Sequence, residues 1–113
     1  MRAARIDRNQ PEIVKALRSV GVSVQHLHQV GAGCPDLLCA ANQSVFLIEV
    51  KDGDKPPSAQ ALTPDQVTWH AAWEAPVHVC NTVESALQVA ELYRLKPIDP
   101  AFSERLKALK GKV

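Results

Sequence analysis

Apolar residues first recur at a helical period. Ile13, Leu17 and Val20 fall on one stripe, Pro11 stands where a first turn tolerates a missing N–H, and Gly21 follows as a stop. The pattern predicts a helix opened by Asn9-Gln10-Pro11-Glu12. The period then drops to two. Val22, Val24, His26 and His28 alternate with Ser23, Gln25 and Leu27, which predicts a strand. A Gly-rich loop covers 29–33. Two apolar runs follow, 36–40 and 45–51, with a turn over 41–44. They read as two more strands, the central pair of a sheet.

Residues 52–61 carry Gly, two prolines and mixed charge, and read as a loop and candidate lid. Thr63-Pro64-Asp65-Gln66 is a strong helix start, with Thr as N-cap, Pro first and Gln closing a capping box. Pro76 ends that helix and 77–80 is a short fourth strand. Asn81 with Glu84 suggests the cap of a third helix, running to about Arg94 and buried on much of its circumference. Past Pro97 and Pro100, the stripe Phe102, Leu106, Leu109, Val113 predicts a final amphipathic helix that packs in cis or on a second subunit. The order is αβββαβα plus a C-terminal helix. A meander followed by a crossover helix and another strand gives a mixed four-stranded sheet flanked by helices, an α/β fold.

Composition narrows the setting. A chain of 113 residues suits one domain. No apolar run approaches a membrane span and no signal region follows the basic start, so a cytoplasmic protein without membrane contact is expected. Three cysteines, Cys34, Cys39 and Cys80, do not make a disulfide framework. Net charge is +1, but unevenly spread. Residues 1–20 hold five bases and two acids, 101–113 four bases and one acid, and the middle four bases against nine acids. Basic ends around an acidic centre suit a polyanion held at the rim and a metal at the centre. The division expected is a basic arm over 1–8, a domain over 9–95, and a linker with the last helix over 96–113.

The acidic centre has a particular arrangement. Asp36 opens the second strand, and Glu49 and Lys51 close the third after Val45-Phe46-Leu47-Ile48. Glu49 and Lys51 share a face roughly 7 Å apart, and Val50 points the other way. If the two strands are antiparallel neighbours, Asp36 sits beside Glu49. Two carboxylates are the usual protein share of a Mg²⁺ site. The alternative is an ion pair beside an ordinary Pro-Asp turn. Glu12 complements a helix dipole or serves as a third carboxylate. Gln66, Trp69, His70 and Trp73 share one side of their helix; the tryptophans read as packing, Gln66 as a cap and His70 as a polar residue at the core edge. His26, His28, Cys34 and Cys39, with Cys80 in reserve, have zinc-ligand chemistry but no close Cys pair at zinc-finger spacing.

Pro35-Asp36, twelve residues, then Glu49-Val50-Lys51 resembles the PD-(D/E)XK nuclease signature. The longer match is to its VRR-NUC family. It comprises Gly-Cys-Pro-Asp-Leu-Leu, Phe-Leu-Ile-Glu-Val-Lys-Asp-Gly, and Leu62-Thr63-Pro64-Asp65-Gln66 with Trp69-His70 beyond, over roughly residues 7–90. The resemblance implies a restriction-endonuclease-like core and a Mg²⁺- or Mn²⁺-dependent DNA nuclease. Family members include repair nucleases, and the stand-alone phage and bacterial type is similar to homodimeric Holliday-junction resolvases. It implies Asp36 and Glu49 as metal ligands with the Val50 carbonyl, Lys51 as catalytic lysine, Glu12 as the helix-one acid near the metal, and Gln66 as support for the site or the substrate phosphate. Asp52 and Asp54 are extra acids with no assigned role. A catalytically silent DNA-binding module on the same fold is the competing reading.

Overall fold

In the computed structural model the described residues are 6–97 and 99–111. Arg2 and Arg5 of the expected arm, and Lys112 and Val113 at the far end, lie outside them. The elements are α1 (Gln10–Ser19), β1 (Ser23–His26), β2 (Leu37–Ala41), β3 (Ser44–Val50), α2 (Pro57–Gln60), α3 (Pro64–Ala72), β4 (Val77–Cys80), α4 (Val83–Arg94) and α5 (Pro100–Lys110). The expected order holds, with one short added helix, α2, inside the segment read as loop. No described helix is long and apolar enough to cross a membrane.

The four strands form one mixed sheet in the order β1-β2-β3-β4. β1, β2 and β3 run antiparallel in turn, and β4 joins β3 in parallel through the α3 crossover. The β2–β3 turn is two residues, Asn42 and Gln43, both at positive φ (50° and 69°). That backbone matches the twist of a tight hairpin, and Asn tolerates it best among residues with a side chain. The turn also ties down the C-terminus. Asn42 Nδ2 donates to the carbonyls of Arg94 (2.9 Å) and Lys96 (2.7 Å), and Gln43 Nε2 donates to Ser103 Oγ (2.7 Å).

Alternation assigns the two faces. Leu37, Cys39 and Ala41 of β2 and Phe46, Ile48 and Val50 of β3 point to one side, where Ile13, Val14 and Leu17 of α1 and Ala86, Ala90 and Tyr93 of α4 cover them. Phe46 and Tyr93 stack at 4.3 Å between ring centroids. Each large side chain buried here contributes roughly 1.5–3 kcal/mol against exposure. The other face carries Asp36, Leu38, Leu47, Glu49 and Val79, and α3 covers only part of it. Leu38, Val45 and Val79 remain exposed.

Three expectations need correcting. Arg8, placed in a free arm, bonds Asp54 (3.2 Å) and Asp52 (3.5 Å) beyond β3. The cap of α4 is Thr82 with Ser85, not Asn81 with Glu84, because the hydroxyls of Thr82 and Ser85 each accept the other's backbone N–H. That helix buries one stripe rather than most of its circumference, and Leu92 on its outer side is 60% exposed. The last helix is held in cis at its start, but it buries no residue along its length.

Candidate functional site

The pairing of β2 with β3 places the two acids. Leu37 is opposite Ile48, so one more step of the same register sets Asp36 opposite Glu49. Both stand on the face away from the core, with Lys51 two residues beyond Glu49. All three are buried: Glu49 is 2% exposed, Asp36 5% and Lys51 8%. Asp36 is fixed by an N–H of the neighbouring strand, since Val50 N donates to Asp36 Oδ2 at 2.7 Å. Val50 thus enters the site through its backbone while its side chain fills the core.

Burial raises the pKa of Glu49, and hydrogen bonding to Asp36 and the charge of Asp36 raise it further; Lys51 pulls the other way. Two carboxyl groups within hydrogen-bonding reach need a proton or a cation between them. Glu49 Oε1 is buried and has no hydrogen-bond partner. Buried polar atoms are otherwise almost always partnered.

The start of α3 supplies the rest. Thr63 Oγ1 accepts the Gln66 N–H (3.3 Å), and Thr63 N–H donates to Gln66 Oε1 (3.0 Å), closing the expected capping box. Gln66 does more than cap. Its Oε1 also accepts from Lys51 Nζ at 2.7 Å, and its Nε2 donates to Glu49 Oε2 at 3.2 Å. One amide therefore fixes the helix end, the lysine and the acid, which sets its orientation. Gly33 lets the preceding loop lie against this helix end. It has φ +84°, and a Cβ there would fall 2.3 Å from the Asp65 carbonyl oxygen. Only glycine fits that approach.

These residues line a polar cavity of about 320 Å³ with Asp7, Gly31, Ala32, Cys34 and Asp65. The N-terminal acid at this cavity is Asp7, not Glu12. Its pKa is raised, by burial most of all, while Lys55 at 3.8 Å pulls it down. Glu12 is exposed and borders a separate groove with Asp52, Asp54 and Glu84. The core stripe Ile13, Val14, Leu17 sets the rotation of α1, and that rotation turns Glu12 outward. Asn9 ties α1 to the ends of β3 and β4: its Nδ2 donates to the carbonyls of Lys51 (3.0 Å) and Asn81 (3.2 Å). Asp7 was overlooked because it precedes the periodic stripe, where sequence offers only polarity.

The segment 52–61 does not line the cavity; Gln60 and Gly53 bond Asn81 instead. The zinc set is not assembled. His26 pairs with Gln10 (3.2 Å), Cys39 lies in the core, and Cys34 borders the cavity on the other face. Among the described residues, no group of three or more His, Cys, Asp or Glu side chains is arranged to hold a metal. A Mg²⁺ site needs no such group, because two carboxylates, a carbonyl, waters and substrate oxygens complete its shell. Asp36 and Glu49 fit that role: both are oxygen donors, they adjoin, and Glu49 Oε1 lacks a partner. Trp69 and Trp73 stack on each other at 4.8 Å, with Trp73 half exposed. The chain matches no family model, no curated protein and no solved structure.

Proposed function

We propose that this chain is a Mg²⁺- or Mn²⁺-dependent DNA endonuclease of VRR-NUC type, built on a restriction-endonuclease-like core. The observation that carries the reading is the meeting of Asp36 and Glu49 across β2 and β3 beside Lys51, with a buried carboxylate oxygen left unpartnered. A purely structural ion pair gives no reason for two adjoining buried acids against one base.

Asp36, Glu49 and the Val50 carbonyl are the residues that would hold the cation. When bound, it supplies Lewis-acid activation of water and neutralises charge building on the phosphoryl group. Lys51 has three N–H donors and spends one on Gln66. The others are free to orient the attacking water or to stabilise negative charge on a phosphate oxygen. Gln66 holds Lys51 and Glu49 in one geometry before substrate arrives. The exposed bases of α5, Arg105, Lys107 and Lys110, suit a phosphate backbone, but the helix starts at the β2–β3 turn, the opposite end of those strands from Asp36 and Glu49.

One such site cuts one strand. A branched or four-way substrate cut symmetrically requires two sites on a two-fold axis, so a homodimer belongs to the same proposal. Its test is incubation of supercoiled, forked and four-way-junction DNA with the protein in Mg²⁺, Mn²⁺ or EDTA, with light scattering for mass. Metal-dependent cleavage, strongest on branched DNA and from a dimer, is the expected result. Binding of these DNAs without cleavage in either metal favours the silent module instead.

A further inference from the structure

Both oxygens of the Glu49 carboxylate face one helix, one bonded and one not. Gln66 Nε2 donates to Oε2 at 3.2 Å. One turn further along α3, His70 Nε2 lies 3.5 Å from Oε1. The spacing of four residues puts both side chains on the same face of the helix. The His70 side chain is only 14% exposed and that of Glu49 2%. His70 Nε2 and Glu49 Oε1 are both buried without a hydrogen-bond partner, so their 3.5 Å approach is a polar contact and not a hydrogen bond. Among the described residues the imidazole reaches no second acid, and Trp69 abuts it edge-on at 6.4 Å between ring centroids, which limits how the ring can turn.

We infer that His70 is a positioning residue for Glu49: it aims the Oε1 lone pairs that the proposed cation uses. The inference rests on the metal-site reading above and adds a residue to it. A carboxylate bonded at one oxygen swings about its Cγ–Cδ bond; a polar ring nitrogen 3.5 Å from the other oxygen narrows that swing. Gln66 bonds only Oε2, and Asp36 Oδ2 accepts the Val50 N–H. Groups that orient a metal ligand in this way typically set metal affinity or activity by about 10- to 100-fold. The sequence marks His70 only as a polar residue one turn beyond a cap, so its role emerges from the distance alone.

The experiment measures Mn²⁺ affinity by calorimetry on the DNA-free protein, with melting temperature recorded for each variant. His70→Phe keeps a ring of similar size and removes the polar contact. His70→Gln keeps an N–H within reach. His70→Phe is expected to weaken Mn²⁺ binding about 10- to 100-fold at a melting temperature near the wild type's. His70→Gln is expected to stay within about threefold of wild type on the same second-sphere scale. If His70→Phe does not fold, His70→Asn, whose amide is too short to reach Glu49, takes its place. Equal affinity in wild type and His70→Phe overturns the inference while leaving the metal site standing. So does a His70→Gln as weak as His70→Phe, which would make ring shape rather than polar contact the cause. Absence of Mn²⁺ binding by the wild-type chain removes the metal site itself, and His70's role with it.

Discussion

Ile48 and Glu49 are neighbours on β3 and almost equally buried, 0% and 2% exposed. They lie on opposite faces of one sheet. Ile48 belongs to the apolar cluster with the buried side chains of α1 and α4. Glu49 meets Asp36, Gln66 and His70 and keeps one oxygen unpartnered. Burial therefore does not separate the stabilising face from the candidate chemical one. The kind of neighbour does. The apolar face leaves one buried amide oxygen, that of Gln10, without a partner, whereas the charged face holds two acids together in a way that costs stability unless something cationic joins them.

The largest effect separating the faces is on cleavage. Asp36→Asn, Glu49→Gln and Lys51→Ala should each lower the DNA cleavage rate by on the order of 10³-fold, the scale of losing one preorganised electrostatic group. Stability should move the other way for Glu49→Gln, because a neutral amide ends the competition between two buried carboxyls. Initial rates on a cleaved substrate and melting temperatures, measured on the same preparations, check both halves. Full activity in all three variants would dissolve the distinction between the faces.

Ile48→Ala is the converse substitution, one residue away. It removes core volume beneath α1 and should cost about 2–5 kcal/mol of folding stability. Cleavage per folded molecule should change little below the melting transition. Denaturant unfolding gives the first quantity, and rates well below the midpoint give the second. A large loss of rate at unchanged stability would mean that the core face takes part in the chemistry.

Much of this contrast was legible before any coordinates. Alternation along 45–51 puts Glu49 and Lys51 on one face and Val50 on the other, and strand alternation is a local rule that folding rarely overrides. The capping box at Thr63 was equally plain, since it is written in four consecutive residues. What escaped was set by packing between distant segments. The rotation of α1 follows from how Ile13 and Leu17 meet the sheet, and it sends Glu12 outward while the residues ahead of the helix bring Asp7 to the cavity. Thr82 took the cap from Asn81 because one residue of register at the end of β4 decides which hydroxyl meets which N–H. His70 had no signal beyond its offset from Gln66.

The two capped helices repeat the comparison at smaller scale. Thr63–Gln66 and Thr82–Ser85 are both reciprocal boxes. Gln66 reaches on to Lys51 and Glu49 at the candidate site, whereas Ser85 bonds around its own cap and to the core thiol of Cys80. Thr63→Ala and Thr82→Ala should each cost about 1 kcal/mol of stability. Only Thr63→Ala should also slow cleavage, because it loosens the helix end that carries Gln66. Equal effects on rate would show that the cap at Thr63 is structural alone.

The three thiols give the gentlest probe, since they report the faces without changing the chain. Cys39 and Cys80 sit in the core, 1% and 0% exposed, and burial pushes their pKa up to about 12 and about 11. Cys34 borders the cavity on the charged face and is only partly buried. Its pKa is also raised, first by burial and then by the charges of Glu49 and Asp36. In the unfolded chain a thiol loses its proton near 9.0. A folded-state value above that means the buried thiols favour folding fully below pH 9 and lose that contribution as pH climbs through about 11 and about 12. Alkylation at neutral pH, followed by mass spectrometry, should therefore modify Cys34 first and leave Cys39 and Cys80 intact until the chain unfolds. Cys39 reacting as fast as Cys34 would show that the apolar face opens as readily as the charged one, and the contrast between them would then describe composition rather than packing.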